Sequence, residues 1–246
     1  ADLIYAEANL PATVALAEQG RATSGAAKGL LAKTYLYLEN WAAAKTKCEE
    51  VIGSQNYSLV PNYADVFSSV QQWGSEVIWS INMVEDLDGH WGEHEGSWLS
   101  IWFGDRDMGW GYGFKCPTED FIQAFEPTDT RLEASVVFDG EMIPGTFGGA
   151  PHDFTGGSWN PPTGYMSQKY LIPDNERPIT ADCNGNLDYI FMRYADLLLI
   201  HAEASMEIGD EDAAKSSLAL IRQRAGLSAY PDDATISSYK ETYLLN

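Results

Sequence analysis

The sequence predicts a mainly α-helical fold, in which pairs of helices form a scaffold that carries long, irregular, loop-rich insertions and a few short strands. Two observations support this prediction. Apolar residues recur at helical spacing over about 21–52 and again over about 189–226. Between these pairs, over about 82–188, glycine, proline and tryptophan are frequent and no regular period persists. No linker composition separates the parts, so we expect a single domain over residues 1–246.

The two helix pairs are near-copies of each other, 170 residues apart. The recurring small residues and lysine are Ala32, Ala43, Ala44 and Lys45, which return as Ala202, Ala213, Ala214 and Lys215. The recurring larger residues are Leu38, Cys48 and Val51, which return as Ile208, Leu218 and Ile221. This pattern is typical of tetratricopeptide-type helix pairs, whose repeat length is about 34 residues. Because the chain between the copies is not repetitive, it predicts two separated pairs and not a continuous solenoid.

Local signals define the helices near the N-terminus. Pro11 ends the first helix, because proline cannot continue it. Thr23 or Ser24 is a candidate N-terminal cap for the second helix, and Asn40 allows the turn into the third. The helices predicted on this basis cover residues 1–10, 24–39 and 41–52.

Further signals follow along the chain. Thr118 is a candidate cap for a helix over Glu119–Phe125. Gly209-Asp210 joins the last two helices, and Gly226 ends the second of them. Glu76–Ile81 predicts a brief strand or extended segment. The other short apolar pieces in the loop-rich region include Val136–Phe138 and Tyr170–Ile172.

The strongly acidic composition restricts the partners of this chain. The formal net charge is −21 and the sequence pI is about 4.3, so the chain lacks a basic face for nucleic acid or for an anionic membrane surface. No apolar run approaches the roughly 20 residues of a membrane-spanning helix. The chain begins inside one apparent helix and ends inside another, and we therefore expect it to be part of a longer chain.

One motif formally matches a zinc-peptidase pattern, His-x-x-Glu-His, at His90–His94. That chemistry requires a helix that places both imidazoles on one face. Gly92 lies inside the motif, and Gly89 and Gly96 flank it, which makes a helix unfavourable there. We expect polar loop residues at this place, no catalytic residues and no enzyme activity.

A second run, Asp86-x-Asp88-Gly-His90, resembles the start of a calcium-binding loop. The twelfth position would be Ser97, where such a loop needs a glutamate. A loosely held calcium ion stays a weak alternative, and the sequence predicts no other cofactor or metal.

The three cysteines lack the C-x-x-C spacing of a zinc or redox site. Cys48 falls on the apolar side of a helix, which predicts a small core residue. A disulfide between Cys116 and Cys183, both in loop-like sequence, is an alternative in an oxidising compartment.

Aromatic residues cluster in the loop-rich region. The cluster comprises Trp91, Trp98, Trp102, Phe103, Trp110, Tyr112 and Phe114, with Trp159 and Tyr165 further along. Flat aromatic faces stack on the C–H faces of sugar rings, and nearby polar groups fix the hydroxyls. The predicted ligand contacts are Trp91, Trp98, Trp102, Trp110, Tyr112 and Trp159 for stacking, with Asp105 and Arg106 as polar partners. The alternative is that these rings fill the core beneath glycine-rich loops.

Four blocks of sequence resemble the SusD/RagB family and occur in that family's order. They are GRATSGAAKGLLAKTYLYLENWAAAKTKCEEVI (Gly20–Ile52), PTEDFIQAFEPTDTR (Pro117–Arg131), RYADLLLIHAEA (Arg193–Ala204) and IRQRAGL (Ile221–Leu227). The resemblance runs along the whole chain, and it implies that the family's N-terminal and extreme C-terminal parts are not included in it.

The resemblance implies a function. Proteins of this family are lipid-anchored at the outer-membrane surface of Bacteroidota, where they capture glycans or sometimes peptides and pass them to a SusC-type TonB-dependent transporter. By this resemblance the helix pairs are structural and transporter-facing, residues 91–114 with Trp159 contact a glycan, and the anchor lies outside this chain. Two alternatives stay open: capture of a peptide or another nutrient, and a structural transporter lid without its own ligand.

Overall fold

The structure, a computed structural model, describes residues 1–84, 96–104, 106, 111–139, 141–143, 152–153, 161–172 and 185–229. These residues form two compact units. The helical unit comprises residues 1–62, 73–81 and the described chain from Ile190 onward. The loop-rich unit comprises the described residues within 63–72 and 82–189. The single-domain expectation stays a prediction, whereas the mainly helical fold with a few short strands is confirmed.

The described residues of the helical unit form five α-helices. Their bounds are α1 Asp2–Asn9, α2 Ser24–Tyr37, α3 Trp41–Gly53, α7 Tyr194–Glu207 and α8 Glu211–Arg224. The caps agree with the sequence: Thr23 Oγ1 accepts the Ala26 N–H at 3.2 Å, which selects Thr23 over Ser24. The N-terminal helices therefore lie where the sequence predicts them.

The two helix pairs, far apart in sequence, are neighbours in the structure. Helix α1 packs on α2, α2 on α3, α3 on α7, and α7 on α8. The small residues predicted at the helix crossings are deeply buried: Ala32, Ala44, Ala202 and Ala214. The larger equivalents Cys48, Leu218, Val51 and Ile221 are also buried, whereas Leu38 and Ile208 are both exposed just beyond their helices. The packing of α3 on α7 therefore joins the two copies of the helix pair.

The turn between the two helices of each pair also has the same backbone geometry. Glu39 follows α2 with φ 55°, and Gly209 follows α7 with φ 80°, so both occupy the left-handed region that ends many helices. The bonds that close these turns run from Asn40 N–H to Tyr35 C=O at 2.9 Å and from Asp210 N–H to Ser205 C=O at 2.8 Å. Only the second pair has glycine at this position, so Glu39 carries strain that Gly209 avoids.

A two-stranded sheet lies with these helices. It pairs β1 (Val77–Ile81) with β6 (Tyr189–Arg193). The second helix pair was predicted to start at about 189, and this boundary is wrong, because residues 189–193 are a strand. Their aromatic and branched side chains suit a strand. Asp196 then starts α7 by accepting the Arg193 N–H at 2.8 Å.

Two glycines on α2 permit close approach of other segments. A Cβ at Gly25 would lie 2.5 Å from the Tyr57 hydroxyl oxygen, and a Cβ at Gly29 would lie 2.7 Å from Met192 Sδ. A larger residue at these positions would therefore displace the Tyr57 ring or the Met192 side chain. Cys48 lies in the same core, and burial raises the pKa of its thiol, so it is an inert core residue as predicted.

A buried carboxylate joins the parts of the helical unit. The Glu76 side chain is fully buried just before β1. Its Oε1 lies 3.1 Å from Arg193 Nη1, and its Oε2 lies 2.6 Å from Arg224 Nη1. Oε2 also accepts the Val60 N–H at 2.9 Å, and the Glu76 carbonyl accepts the Tyr194 N–H at 2.8 Å. One side chain thus connects β1, the junction of β6 and α7, and the end of α8.

The loop-rich unit contains three short α-helices and four short strands among its described residues. Their bounds are α4 Leu99–Phe103, α5 Glu119–Gln123, α6 Thr130–Glu133, β2 Val136–Phe138, β3 Met142–Ile143, β4 His152–Asp153 and β5 Tyr165–Ser167. Strands β2 and β5 pair antiparallel with Val137 opposite Met166, and β3 pairs antiparallel with β4. Thr118 caps α5 as predicted, and α5 ends two residues before the expected Phe125.

Aromatic rings form part of this unit's interior. Phe67 contacts Tyr63 and Tyr170, with both centroid distances at 5.5 Å, and Tyr170 in turn lies 6.3 Å from Phe103. The Lys169 Nζ lies 4.9 Å from the centroid of the Phe67 ring. The apolar piece at 170–172 forms no strand, because Tyr170 takes a φ of 64° in a turn.

We predict that Glu76→Gln lowers the free energy of unfolding by about 3–5 kcal/mol, because it removes the charge of a fully buried carboxylate that both Arg193 and Arg224 contact. Urea denaturation followed by far-ultraviolet circular dichroism measures this loss. The matched control is Glu18→Gln, which removes an exposed carboxylate 2.6 Å from Arg21 and changes stability by about 0.5 kcal/mol or less. Equal effects of the two substitutions would contradict the role assigned to Glu76.

We also predict that Glu39→Gly stabilises the protein by about 1 kcal/mol, because relief of the left-handed strain exceeds the extra entropy of the unfolded chain. The reverse change at the equivalent position, Gly209→Ala, destabilises by a similar amount, since a Cβ there meets no atom within 4 Å and only the φ of 80° opposes it. Urea unfolding of both variants provides the test. Destabilisation by Glu39→Gly would show that the Glu39 side chain matters more than its backbone.

Candidate ligand-binding site

Helix α4 anchors the candidate site in the loop-rich unit. Leu99, Ile101 and Phe103 point into the core, whereas the Trp102 side chain is 38% exposed. Trp98 immediately precedes the helix, is half-buried, and accepts the Trp102 N–H through its carbonyl at 3.0 Å. One short helix therefore separates a buried apolar side from an accessible indole.

Residues 112–114 are attached to the end of α4 by three backbone hydrogen bonds. The Tyr112 N–H donates to the Ile101 carbonyl, the Gly113 N–H to the Gly104 carbonyl, and the Phe114 N–H to the Trp102 carbonyl, each at 2.8 Å. The last carbonyls of a helix have no partner within the helix, so this segment satisfies them. Gly113 has a φ of 65°, which glycine adopts without strain.

This attachment fixes a pair of accessible rings. Tyr112 and Phe114 stack with their centroids 5.6 Å apart and their planes at 28°. Their exposed fractions are 37% and 50%, so neither ring is a core residue. Arg106 braces the same segment, because its Nε donates to the Tyr112 carbonyl at 2.9 Å. We call Trp102, Tyr112 and Phe114, with Arg106, the aromatic strip.

The described residues show no cluster of three or more histidine, cysteine, aspartate or glutamate side chains that could hold a metal ion. Within that same part of the chain, no helix is long and apolar enough to cross a membrane. The aromatic strip itself offers three partly exposed ring faces and one exposed guanidinium group.

Comparison with known sequences identifies the family. The family model described as the SusD family matches residues 75–245, which is more than half of the chain. The chain belongs to the SusD family. The match covers parts of both units and confirms the family resemblance, and three of the four sequence blocks lie within it.

Individual SusD-family proteins are similar to this chain. SusD-like protein P25 of Formosa agariphila is 30% identical, with an alignment that covers 91% of this chain and 46% of that protein. A laminarin-binding SusD-like protein of known structure is 25% identical with a TM-score of 0.79, covering 99% of this chain and 56% of that one. A SusD superfamily protein from Bacteroides vulgatus is 26% identical with a TM-score of 0.77, covering 98% and 51% respectively. The chain thus spans about half the length of these relatives.

For this SusD-family chain, the structure brings together four of the predicted ligand contacts. Trp98, Trp102, Arg106 and Tyr112 all lie on α4 or on the segments around it. Four others lie outside the described residues: Trp91, Asp105, Trp110 and Trp159. The His90–His94 motif, the calcium-like run at 86–90 and Cys183 lie outside them as well, so those alternatives stay predictions.

The rest of the predicted aromatic cluster divides between core and surface. Phe103 is buried, so the core alternative is correct for this ring. The Tyr165 hydroxyl donates to Glu119 Oε2 at 2.5 Å, which raises the pKa of Tyr165 and lowers the pKa of Glu119. Phe114 was in the cluster but not among the predicted contacts. Its two-residue spacing from Tyr112, across a glycine, is the signal that pairs these rings.

Proposed function

We propose that this chain binds neutral glycans without catalysis, and that the aromatic strip is the contact surface. One observation carries the proposal: Tyr112 and Phe114 form an exposed stacked pair, held by three backbone hydrogen bonds next to the exposed Trp102. Large rings normally gain stability by burial. A fixed and accessible group of them favours a ligand-binding role.

The chemistry of the strip suits a sugar. The C–H faces of a pyranose ring bury apolar area on an aromatic face and make weak directional contacts with it. Arg106 can donate hydrogen bonds to hydroxyl oxygens near the rings. Because the strip is already fixed by its attachment to α4, binding costs little conformational entropy.

The relatives and the net charge favour a neutral glucan as the first ligand to test. Laminarin binding is stated for one SusD-like protein of 25% identity. The net charge of −21 opposes long polyanionic polysaccharides. In the whole protein, family membership supports delivery of the captured glycan to a SusC-type TonB-dependent transporter by a lipid-anchored protein at the outer-membrane surface. Rapid release suits such a transfer.

The experiment is affinity electrophoresis of the chain in native gels that contain laminarin or other neutral and charged polysaccharides. We expect a neutral polysaccharide to retard the wild-type chain. Trp102→Ala and Tyr112→Ala should each weaken binding about tenfold, the loss expected when one ring contact is removed. The matched control is Tyr37→Ala, which removes a highly exposed ring from the helical unit.

Circular dichroism and thermal unfolding establish that each variant is folded. Retardation of folded Trp102→Ala and Tyr112→Ala variants equal to that of the wild type would contradict the proposed site. No retardation by any polysaccharide would contradict glycan binding by this chain. Such a result would favour capture of a peptide or a role as a structural lid.

A further inference from the structure

The helical unit contains a cleft of about 200 Å³ that is separate from the aromatic strip. It lies between the segment before α2, the segment after α3 and the start of β1. The side chains that matter for its chemistry are Gln19, Thr23, Asn56, Tyr57, Trp73 and Trp79. All of them belong to the helical unit, so this cleft is formed within one compact unit.

Two indoles contribute apolar surface to the cleft. Trp79 is half-buried, with its ring centroid 4.9 Å from that of Phe191, so its position is fixed by packing. Trp73 is 42% exposed at the rim of the cleft. The cleft therefore combines one fixed ring with one accessible ring.

The backbone at Trp73 is unusual. Its φ of 55° lies in the left-handed region, which a non-glycine residue adopts at a cost in free energy. Gly74 follows directly, yet the strained position carries a large aromatic side chain that stays partly exposed. Strained residues of this kind cluster at ligand-binding sites.

Hydroxyl and amide groups face the same cleft. The hydroxyl oxygens of Thr23 and Tyr57 lie 2.8 Å apart, and burial raises the pKa of Tyr57, so its phenol stays neutral. Gln19 and Asn56 add amides at the exposed side. No carboxylate occurs among the described residues that line the cleft, and Arg21, paired with Glu18, supplies its one charged side chain.

We propose that this cleft is a second binding site, which takes a single ring of a neutral sugar. The Trp73 indole covers one face of the ring, and the Thr23 and Tyr57 hydroxyls, with the amide of Asn56, exchange hydrogen bonds with the sugar hydroxyls. Unlike the aromatic strip, which lies on exposed segments around α4, this concave site suits one ring and not an extended chain. It does not depend on glycan binding by the strip.

The test uses the full chain and laminari-oligosaccharides of increasing length, followed by isothermal titration calorimetry and saturation-transfer NMR. The background variant, Trp102→Ala with Tyr112→Ala, removes the strip. In that background we expect short oligosaccharides to remain bound. Trp73→Gly added to it should weaken the remaining binding about tenfold, while the thermal midpoint stays equal or rises, because glycine removes the strain together with the ring.

The outcomes separate the two sites. Binding in the strip-deleted background that is lost on Trp73→Gly supports the cleft, whatever the strip itself contributes. No binding in that background, or binding that Trp73→Gly leaves unchanged, would contradict the proposed cleft site. Neither result would bear on the proposed role of the aromatic strip. Lower stability of Trp73→Gly with unchanged affinity assigns Trp73 a structural role and also overturns the proposal.

Discussion

The buried carboxylate of Glu76 is the interaction on which the helical unit depends. It is bound by Arg193, 117 positions later in the chain, and by Arg224 at the end of α8. The chain leaves this point along β1, passes through the loop-rich unit, and returns along β6 to the same carboxylate. Closing so long a segment costs entropy, and a buried, charge-assisted bond at the closure point offsets part of that cost while it fixes where the second helix pair docks.

The repeated helix pairs pack together even though a long non-repetitive segment separates them in the sequence. The crossings of α2 with α3 and of α7 with α8 use small residues in equivalent positions, so α3 and α7 can pack directly although the chain between them is not repetitive. In the loop-rich unit, backbone hydrogen bonds also hold an irregular segment in place. The segment at 112–114 satisfies the free carbonyls at the end of α4. The accessible rings of the aromatic strip are thereby held next to α4.

Much of the scaffold could be predicted from local sequence, because caps and helical periods are local signals. Thr23, Asn40 and Asp210 each accept the N–H that an N-terminal cap should accept. The strand at 189–193 could not be predicted in this way, because its partner β1 lies more than a hundred residues earlier. The site was predicted only in part. Phe103 and Trp102 are adjacent on a five-residue helix, too short for a period to show which ring is buried.

The most direct test of the proposed function is a two-dimensional NMR titration of the isotope-labelled chain with a neutral glucan such as laminarin. We expect the Trp102 indole N–H and the backbone amides of Tyr112 and Phe114 to shift first and to saturate together. Amides within α3 and α7 should stay unchanged. Saturable glucan binding that leaves Trp102, Tyr112 and Phe114 unshifted would contradict the assignment of the aromatic strip as the glycan-binding surface.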